Sequence, residues 1–283
     1  EYLSPGERIF ERMLEELQAA EKYIYMEFFI LAEGEMWDAI HKVLSEKASN
    51  GVEVRVIFDD FGSIKRQHKD FIVNLRAEGI DVSVFNPIKP SMNIFMNNRN
   101  HRKIVVIDGK TAFTGGFNIG DEYINKMIRF GHWLDSGIML RGEAVKSFLA
   151  MFCCMWEFTT GEQLDISSHI SDFSAADDGF VLPYCDGPLN NKNPAEGIYM
   201  QILNTAQKYV YIASPYLIID NTMTSILCMA ARSGIDVRIV TPHIPDKWYV
   251  HPVTQYSYLE LLEAGVRIFE YTPGFIHSKI TSY

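Results

Sequence analysis

Two seven-residue segments carry nearly the same pattern and decide the fold: Gly51-Val-Glu-Val-Arg-Val-Ile57 and Gly234-Ile-Asp-Val-Arg-Ile-Val240. Each begins with a glycine and continues with β-branched residues, which is typical of a buried strand that begins where a helix has ended. A second pair of similar segments precedes them, Ala20-Glu-Lys-Tyr-Ile-Tyr-Met26 and Ala206-Gln-Lys-Tyr-Val-Tyr-Ile212. The two members of this pair are separated by nearly the same number of residues as the members of the first pair. The chain therefore repeats itself.

Two further pairs of segments extend the repeat towards the C-terminus. Gly79-Ile-Asp-Val-Ser-Val84 is matched loosely by Gly265-Val-Arg-Ile-Phe-Glu270, and His101-Arg-Lys103 is matched by His277-Ser-Lys279. Matching segments in the same order indicate a duplicated unit. Two interpretations stay open: the duplication preserved only a core, or each copy supplies half of one site.

Each half of the chain alternates helices with buried strands, beginning with a helix at 5–21 and an apolar strand at 23–31. This alternation predicts an α/β fold. We expect two similar lobes whose sheets are flanked by helices, related by a pseudo-twofold axis with one active site between them. The lobes are predicted at 1–160 and 180–283, joined by a polar linker at 159–179.

The composition is that of a folded protein, with 47% hydrophobic and 22% charged residues among 283. The formal net charge of −10 argues against general nucleic-acid binding, which needs a broad basic surface. No segment reaches the roughly 18 apolar residues of a membrane span, and none resembles a signal peptide. Because Glu1 is not an initiator residue, an N-terminal membrane anchor ahead of it stays open.

The cysteine spacing fits neither a metal knuckle nor a disulfide framework. We expect reduced thiols in a protein that faces the cytosol. The four residues are Cys153, Cys154, Cys185 and Cys228.

The segment His101-x-Lys103-x-x-x-x-Asp108 carries candidate chemistry. Residues 104–107 form an apolar strand, so the imidazole and the ammonium are expected to project together from its beginning. Asp108 comes at the strand's end, where a carboxylate more often caps a turn than reacts.

At this point the sequence resembles the phospholipase D superfamily, whose motif H-x-K-x-x-x-x-D occurs twice and is followed by a Gly/Ser-x-Asn segment. The first copy is complete, and Gly115-Gly116-Phe117-Asn118 follows it. The second copy begins at His277-x-Lys279, and the sequence ends at Tyr283, one residue before the position where the motif's Asp would be expected. The flanking segments resemble bacterial cardiolipin synthases: 99–110, 113–123, 214–216, 241–246 and 271–279.

The resemblance implies a covalent phosphohistidine on His101, with His277 as the acid and base for the two glycerol groups. Lys103 and Lys279 would bind the nonbridging phosphate oxygens. The scheme requires no metal and no other cofactor.

The resemblance also assigns supporting residues to the site. Asn118, with Gly115 and Gly116, would contribute to substrate binding, and Asp108 is included in the catalytic motif. We expect Asp135 to orient His101, with a strand-end turn as the alternative. The carboxylate that orients His277 would then lie beyond Tyr283.

The implied reaction converts two phosphatidylglycerols to cardiolipin and glycerol at the cytoplasmic face of the bacterial membrane. The implied partner is therefore an anionic phospholipid at a membrane surface, and not nucleic acid. Hydrolysis of a phospholipid, or less readily of nucleic acid, is the alternative, and a catalytically inactive membrane-binding relative is a third. The apolar segment 88–96 fits a loop core or insertion into the lipid interface equally well.

Overall fold

The protein is described by a computed structural model covering residues 1–88, 97–175, 179–187 and 193–283. It divides into two compact units. The first unit comprises Glu1–Met127 and Ser136–Pro183, and the second comprises Ile128–Asp135 and Tyr184–Tyr283. Most of the apolar segment 88–96 lies outside the described residues.

The first unit is a mixed sheet flanked by helices. Its elements are β1 (Tyr2–Leu3), α1 (Gly6–Gln18), β2 (Tyr23–Phe28), α2 (Glu35–Ser49), β3 (Glu53–Asp59), α3 (Asp60–Ser63), α4 (Phe71–Ala77), β4 (Ile80–Phe85), β5 (Ile104–Ile107), β6 (Thr111–Gly115), a 3-10 helix (Asp121–Ile124), β8 (Gly137–Arg141), α5 (Val145–Thr160) and α6 (Ile166–His169).

The sheet of the first unit has the order β1-β8-β6-β5-β2-β3-β4. Strands β2, β3 and β4 are parallel, and β5 runs antiparallel to β2. Every residue of β2 is buried, as its apolar sequence predicts. Helix α5 packs on one face of the sheet, where Phe152 stacks on Tyr25 with ring centroids 4.7 Å apart.

The second unit has a smaller sheet and a separate pair of strands. Its elements are β7 (His132–Leu134), α7 (Pro194–Thr205), β9 (Tyr209–Ala213), α8 (Asn221–Arg232), β10 (Asp236–Pro242), α9 (His251–Tyr256), α10 (Tyr258–Glu263), β11 (Arg267–Tyr271), β12 (Gly274–Ile276) and β13 (Ile280–Ser282). The sheet has the order β11-β10-β9-β13, and β12 pairs in parallel with β7.

The two sheets repeat the same local pattern, which confirms the predicted α/β class. In the second unit β9, β10 and β11 are parallel and β13 runs antiparallel to β9, as β5 does to β2 in the first. The pseudo-twofold relation of the lobes stays a prediction. Within the described ranges, no helix has both the length and the hydropathy needed to cross a membrane.

The unit boundaries differ from the predicted lobes in two places. Residues 128–135 belong to the second unit, although the sequence placed them inside the lobe at 1–160, because β7 pairs with β12. The described part of the predicted linker at 159–179 belongs to the first unit. The Tyr23 hydroxyl donates to the His169 carbonyl at 2.8 Å and ties this segment to β2.

Candidate active site

The first histidine-lysine motif lies directly ahead of β5. The His101 imidazole is exposed, and its ring centroid lies 4.8 Å from that of Phe29. Lys103 is buried, and its Nζ donates a hydrogen bond to the His101 carbonyl at 2.6 Å. The same ammonium lies 5.5 Å from the centroid of the Phe29 ring. The exposed His101 imidazole therefore lies beside the Lys103 ammonium, which is bonded to the His101 carbonyl.

The second motif follows β12 and is held by β7. Ile276 pairs with Leu134 in a parallel register. The residues that follow the two strands, His277 and Asp135, therefore lie side by side. The His277 amide donates to the Leu134 carbonyl at 2.7 Å, and His277 Nδ1 lies 2.7 Å from Asp135 Oδ2. Both side chains are buried.

The Asp135 carboxylate fixes the tautomer of His277. A carboxylate accepts the Nδ1 proton and leaves Nε2 to exchange protons with a substrate. The carboxylate also stabilises the imidazolium when that form is present. Trp133 Nε1 donates to the same Asp135 oxygen at 3.4 Å. The arrangement is that of a histidine prepared for acid and base chemistry.

The pairing of Asp135 with His277 corrects one of two predictions about the carboxylates of the site. Asp135 was expected to orient His101, and the carboxylate for His277 was expected beyond Tyr283. The structure joins Asp135 to His277 across 142 positions of sequence, so the second prediction is wrong. The reason is the parallel pairing of β7 with β12, which no local pattern in either strand reveals. The orientation of His101 by Asp135 stays a prediction.

Lys279 makes the same hydrogen bond as Lys103, because its Nζ donates to the His277 carbonyl at 2.6 Å. Lys279 as a residue is exposed, but its ammonium lies among protein atoms, and this burial lowers the pKa of Lys279 to about 8. Asp135 and Asp246 act in the opposite direction, and Lys247 lowers the pKa further. The cation is therefore present at neutral pH and titrates in the alkaline range.

Asp108 stands at the opposite end of β5 from His101, so its inclusion among the catalytic residues is not supported. Its carboxylate accepts three backbone hydrogen bonds at 2.7–2.9 Å, from Glu21, Lys22 and Tyr23. At about 3.3 Å per strand residue, it lies roughly 15 Å or more from His101. Asp108 ties the turn after β5 to the start of β2.

The end of β6 and the residues that follow it pack closely against their neighbours. A Cβ on Gly115 would lie 2.5 Å from the Ser136 carbonyl, and the Gly116 amide donates to that carbonyl at 3.0 Å. Asn118 is buried; its Oδ1 accepts from the Ile30 amide at 3.0 Å and its Nδ2 donates to the Tyr123 hydroxyl at 2.9 Å. These residues shape the backbone beside the motif, and their contact with substrate stays a prediction.

Several polar residues near the motifs were missed at the sequence level. Tyr216 donates to Asp246 Oδ2 at 2.7 Å and accepts from Lys247 Nζ at 3.1 Å. Their segments, 214–216 and 241–246, were noticed only as resemblances. Glu27 was also missed, although a carboxylate within the apolar strand β2 was a usable signal. In the described part of the chain, no three His, Cys, Asp or Glu side chains are arranged to hold a metal ion.

The chain is similar to curated bacterial proteins over nearly its whole length. It is 44% identical to an uncharacterized protein of Streptococcus mutans over 281 residues, covering 99% of this chain and 61% of that protein. It is 40% identical to the cardiolipin synthase of Halalkalibacterium halodurans over 281 residues, covering 98% of this chain and 56% of the synthase. The chain thus spans little more than half the length of these curated relatives.

A solved structure and a family model agree on the fold. The phosphatidylserine synthase of Haemophilus influenzae matches all of this chain and 75% of its own, with a TM-score of 0.66. At 16% identity this likeness shows the fold alone. The family model described as "Cardiolipin synthase, PLD-like domain" matches residues 13–143 and 199–283. The chain belongs to this cardiolipin synthase, phospholipase D-like family.

Proposed function

We propose that the protein is a phosphatidyltransferase that converts two phosphatidylglycerols to cardiolipin and glycerol through a covalent phosphohistidine. The observation that carries this proposal is the repeated motif geometry. In each unit a histidine has the ammonium of its motif lysine bonded to its own carbonyl at 2.6 Å. The family and the name of the Halalkalibacterium relative support a phospholipid substrate. The proposal puts the reaction at the cytoplasmic face of the membrane.

In the first step a ring nitrogen of His101 attacks phosphorus, and the bond from phosphorus to the leaving glycerol oxygen breaks. His277, protonated and held at Nδ1 by Asp135, gives its Nε2 proton to that oxygen. Lys103 and Lys279 stabilise the charge on the nonbridging oxygens. A covalent intermediate divides one difficult exchange into two easier steps.

In the second step the glycerol hydroxyl of another phosphatidylglycerol attacks the same phosphorus. The Nε2 of His277, now neutral, takes the hydroxyl proton, and the bond between phosphorus and His101 breaks. The products are cardiolipin and the free enzyme with His277 protonated again. The same intermediate attacked by water would give phosphatidic acid, which is the hydrolase alternative.

The test is product analysis with the full-length protein and vesicles in which phosphatidylglycerol is the sole lipid. We expect cardiolipin and glycerol in equal amounts, with little phosphatidic acid, as measured by mass spectrometry. Water is present at roughly 55 M, so a dominant transfer product requires a positioned acceptor alcohol. Phosphatidic acid as the main product would instead support the hydrolase, and the H101A variant is the control for uncatalysed conversion.

A further inference from the structure

One buried carboxylate oxygen holds the residues on both sides of His101. Glu27, in β2, is 0% exposed, and its Oε1 accepts from Asn100 Nδ2 at 2.7 Å and from Arg102 Nε at 2.6 Å. Within the described residues, Glu27 Oε2 is buried without a hydrogen-bond partner. Burial raises the pKa of the Glu27 carboxyl, and Arg102, Asn100 and Lys103 oppose that shift. Burying a charged carboxylate costs free energy of folding, which suggests that Glu27 is kept for a function other than stability.

The described backbone next to His101 is not part of a strand, whereas a strand directly precedes His277. Residues 98–103 belong to neither a helix nor a strand. In the second unit, by contrast, His277 directly follows β12 and its amide bonds to the Leu134 carbonyl of β7. Next to His101, bonds to side chains take the place of strand pairing. The backbone amide of Asn100 donates to Asp59 Oδ2 at 2.9 Å, and the Arg102 guanidinium donates to the Met151 carbonyl at 3.3 Å.

The internal repeat provides a comparison within the same chain. Glu27 pairs with Ile104, three residues after His101, and Ala213 pairs with Ile280, three residues after His277. Ala213 therefore occupies the position of Glu27. Ser278 likewise takes the position of Arg102. Both members of the ion pair are absent together from the unit in which a strand supports the histidine.

We propose that Glu27 and Arg102 are positioning residues that fix His101 for its attack on phosphorus. The proposal rests on the proposed function in naming His101 the nucleophile. Glu27 acts on His101 through its bonds to the two neighbouring residues, Asn100 and Arg102. Removing Glu27 therefore changes the position of the His101 imidazole without altering the chemistry of that side chain.

The central variant is E27A/R102S in the full-length protein, which copies Ala213 and Ser278 of the second unit. Because Glu27 and Arg102 leave together, neither member of this ion pair is left without the other, and we expect a smaller loss of Tm than in a variant that lacks Glu27 alone. The kcat should fall about 10- to 100-fold, since a misplacement near 1 Å costs about that much. KM on short-chain phosphatidylglycerol should stay within about threefold, because the lysines are untouched.

Two further variants separate positioning from general stability. E27Q keeps an oxygen that can accept both bonds, so its kcat should lie between those of the unmodified protein and the double variant. The control E16A removes another buried carboxylate, which binds Arg141 and the Thr111 hydroxyl at the far end of β6. We expect E16A to lower the Tm while kcat per folded molecule stays unchanged.

Hydrogen exchange of the segment 98–103, measured by mass spectrometry without substrate, tests positioning independently of activity. Exchange should be at least about tenfold faster in E27A/R102S than in the unmodified protein, and unchanged in E16A. Unchanged exchange and unchanged kcat in the double variant would overturn the proposal. If the unmodified protein makes no cardiolipin and exchange of 98–103 is still faster in E27A/R102S, the positioning role is supported and the proposed function is rejected.

Discussion

At the residue scale, the contact between His277 and Asp135 makes the most direct prediction about catalysis. Replacing Asp135 with Asn keeps the size of the side chain but removes the charge that selects the tautomer and stabilises the imidazolium. We expect kcat to fall about 100- to 10,000-fold with a smaller change in KM. Steady-state kinetics on short-chain phosphatidylglycerol measures this, with the exposed Asp81→Asn as control. A D135N enzyme that keeps half of its kcat would contradict the assigned role.

The lowered pKa of Lys279 predicts the alkaline limb of the pH profile. Below about pH 8 its ammonium is charged and available to a phosphate oxygen, and above that pH the charge is lost. We therefore expect kcat/KM to decline as the pH rises through about 8. K279R stays charged throughout this range, so its decline should begin at higher pH. An identical alkaline limb in K279R would assign that titration to another group.

The four residues of the paired motifs could be found from sequence because spacing and repetition coincide there. Asp135 was also found, but its partner was not. A residue that follows a strand is recognisable from its own neighbours, whereas its partner depends on which distant strand lies alongside. The pairing of His132–Leu134 with Gly274–Ile276 is such a long-range fact.

At the element scale, the two ends of β5 have different roles, although both belong to one motif. Asp108 accepts backbone hydrogen bonds from Glu21, Lys22 and Tyr23, and its own φ is 53°. In D108A these amides lose their acceptor and alanine is strained at positive φ. We expect a loss of about 2–4 kcal/mol in the free energy of unfolding, measured with urea.

The same variant decides between a structural and a catalytic role for Asp108. The kcat of folded D108A should stay within about threefold of the unmodified enzyme, because the change lies at the far end of β5. A fall of more than 100-fold with unchanged stability would restore the catalytic role that the motif suggested. Urea unfolding and kcat must therefore be measured on the same preparation, at a temperature where the variant is fully folded.

The strands themselves were largely predictable, because apolar runs such as Tyr23–Phe28 have few other ways to be buried. Helix α5 shows the limit. Its apolar sequence does not reveal which strand it covers, and only the structure shows that it packs on β2 through Phe152 and Tyr25. The second sheet follows the pattern of the first, so one prediction served both copies.

At the scale of the whole molecule, duplication explains why two similar motifs can take different roles. Each unit has a histidine-lysine pair with the same internal hydrogen bond, while the support differs: Asp135 and β7 for His277, Glu27 and Arg102 for His101. The repeat made this duplication visible in the sequence. The differences were hidden, since each consists of a contact between segments far apart in the chain.

The proposed roles of His101 as nucleophile and His277 as acid and base predict where a covalent intermediate would form in the full-length protein. With a phosphodiester that carries a good leaving group, the adduct should lie on His101, because a good leaving group needs no proton from His277. H101A should therefore show neither adduct nor turnover. H277A should accumulate the adduct slowly, since the departing group leaves unaided while the incoming alcohol lacks its base. Tandem mass spectrometry at neutral to alkaline pH, where phosphohistidine survives, locates the adduct. A phosphoryl group on His277 of the H101A variant would reverse the assigned roles of the two units.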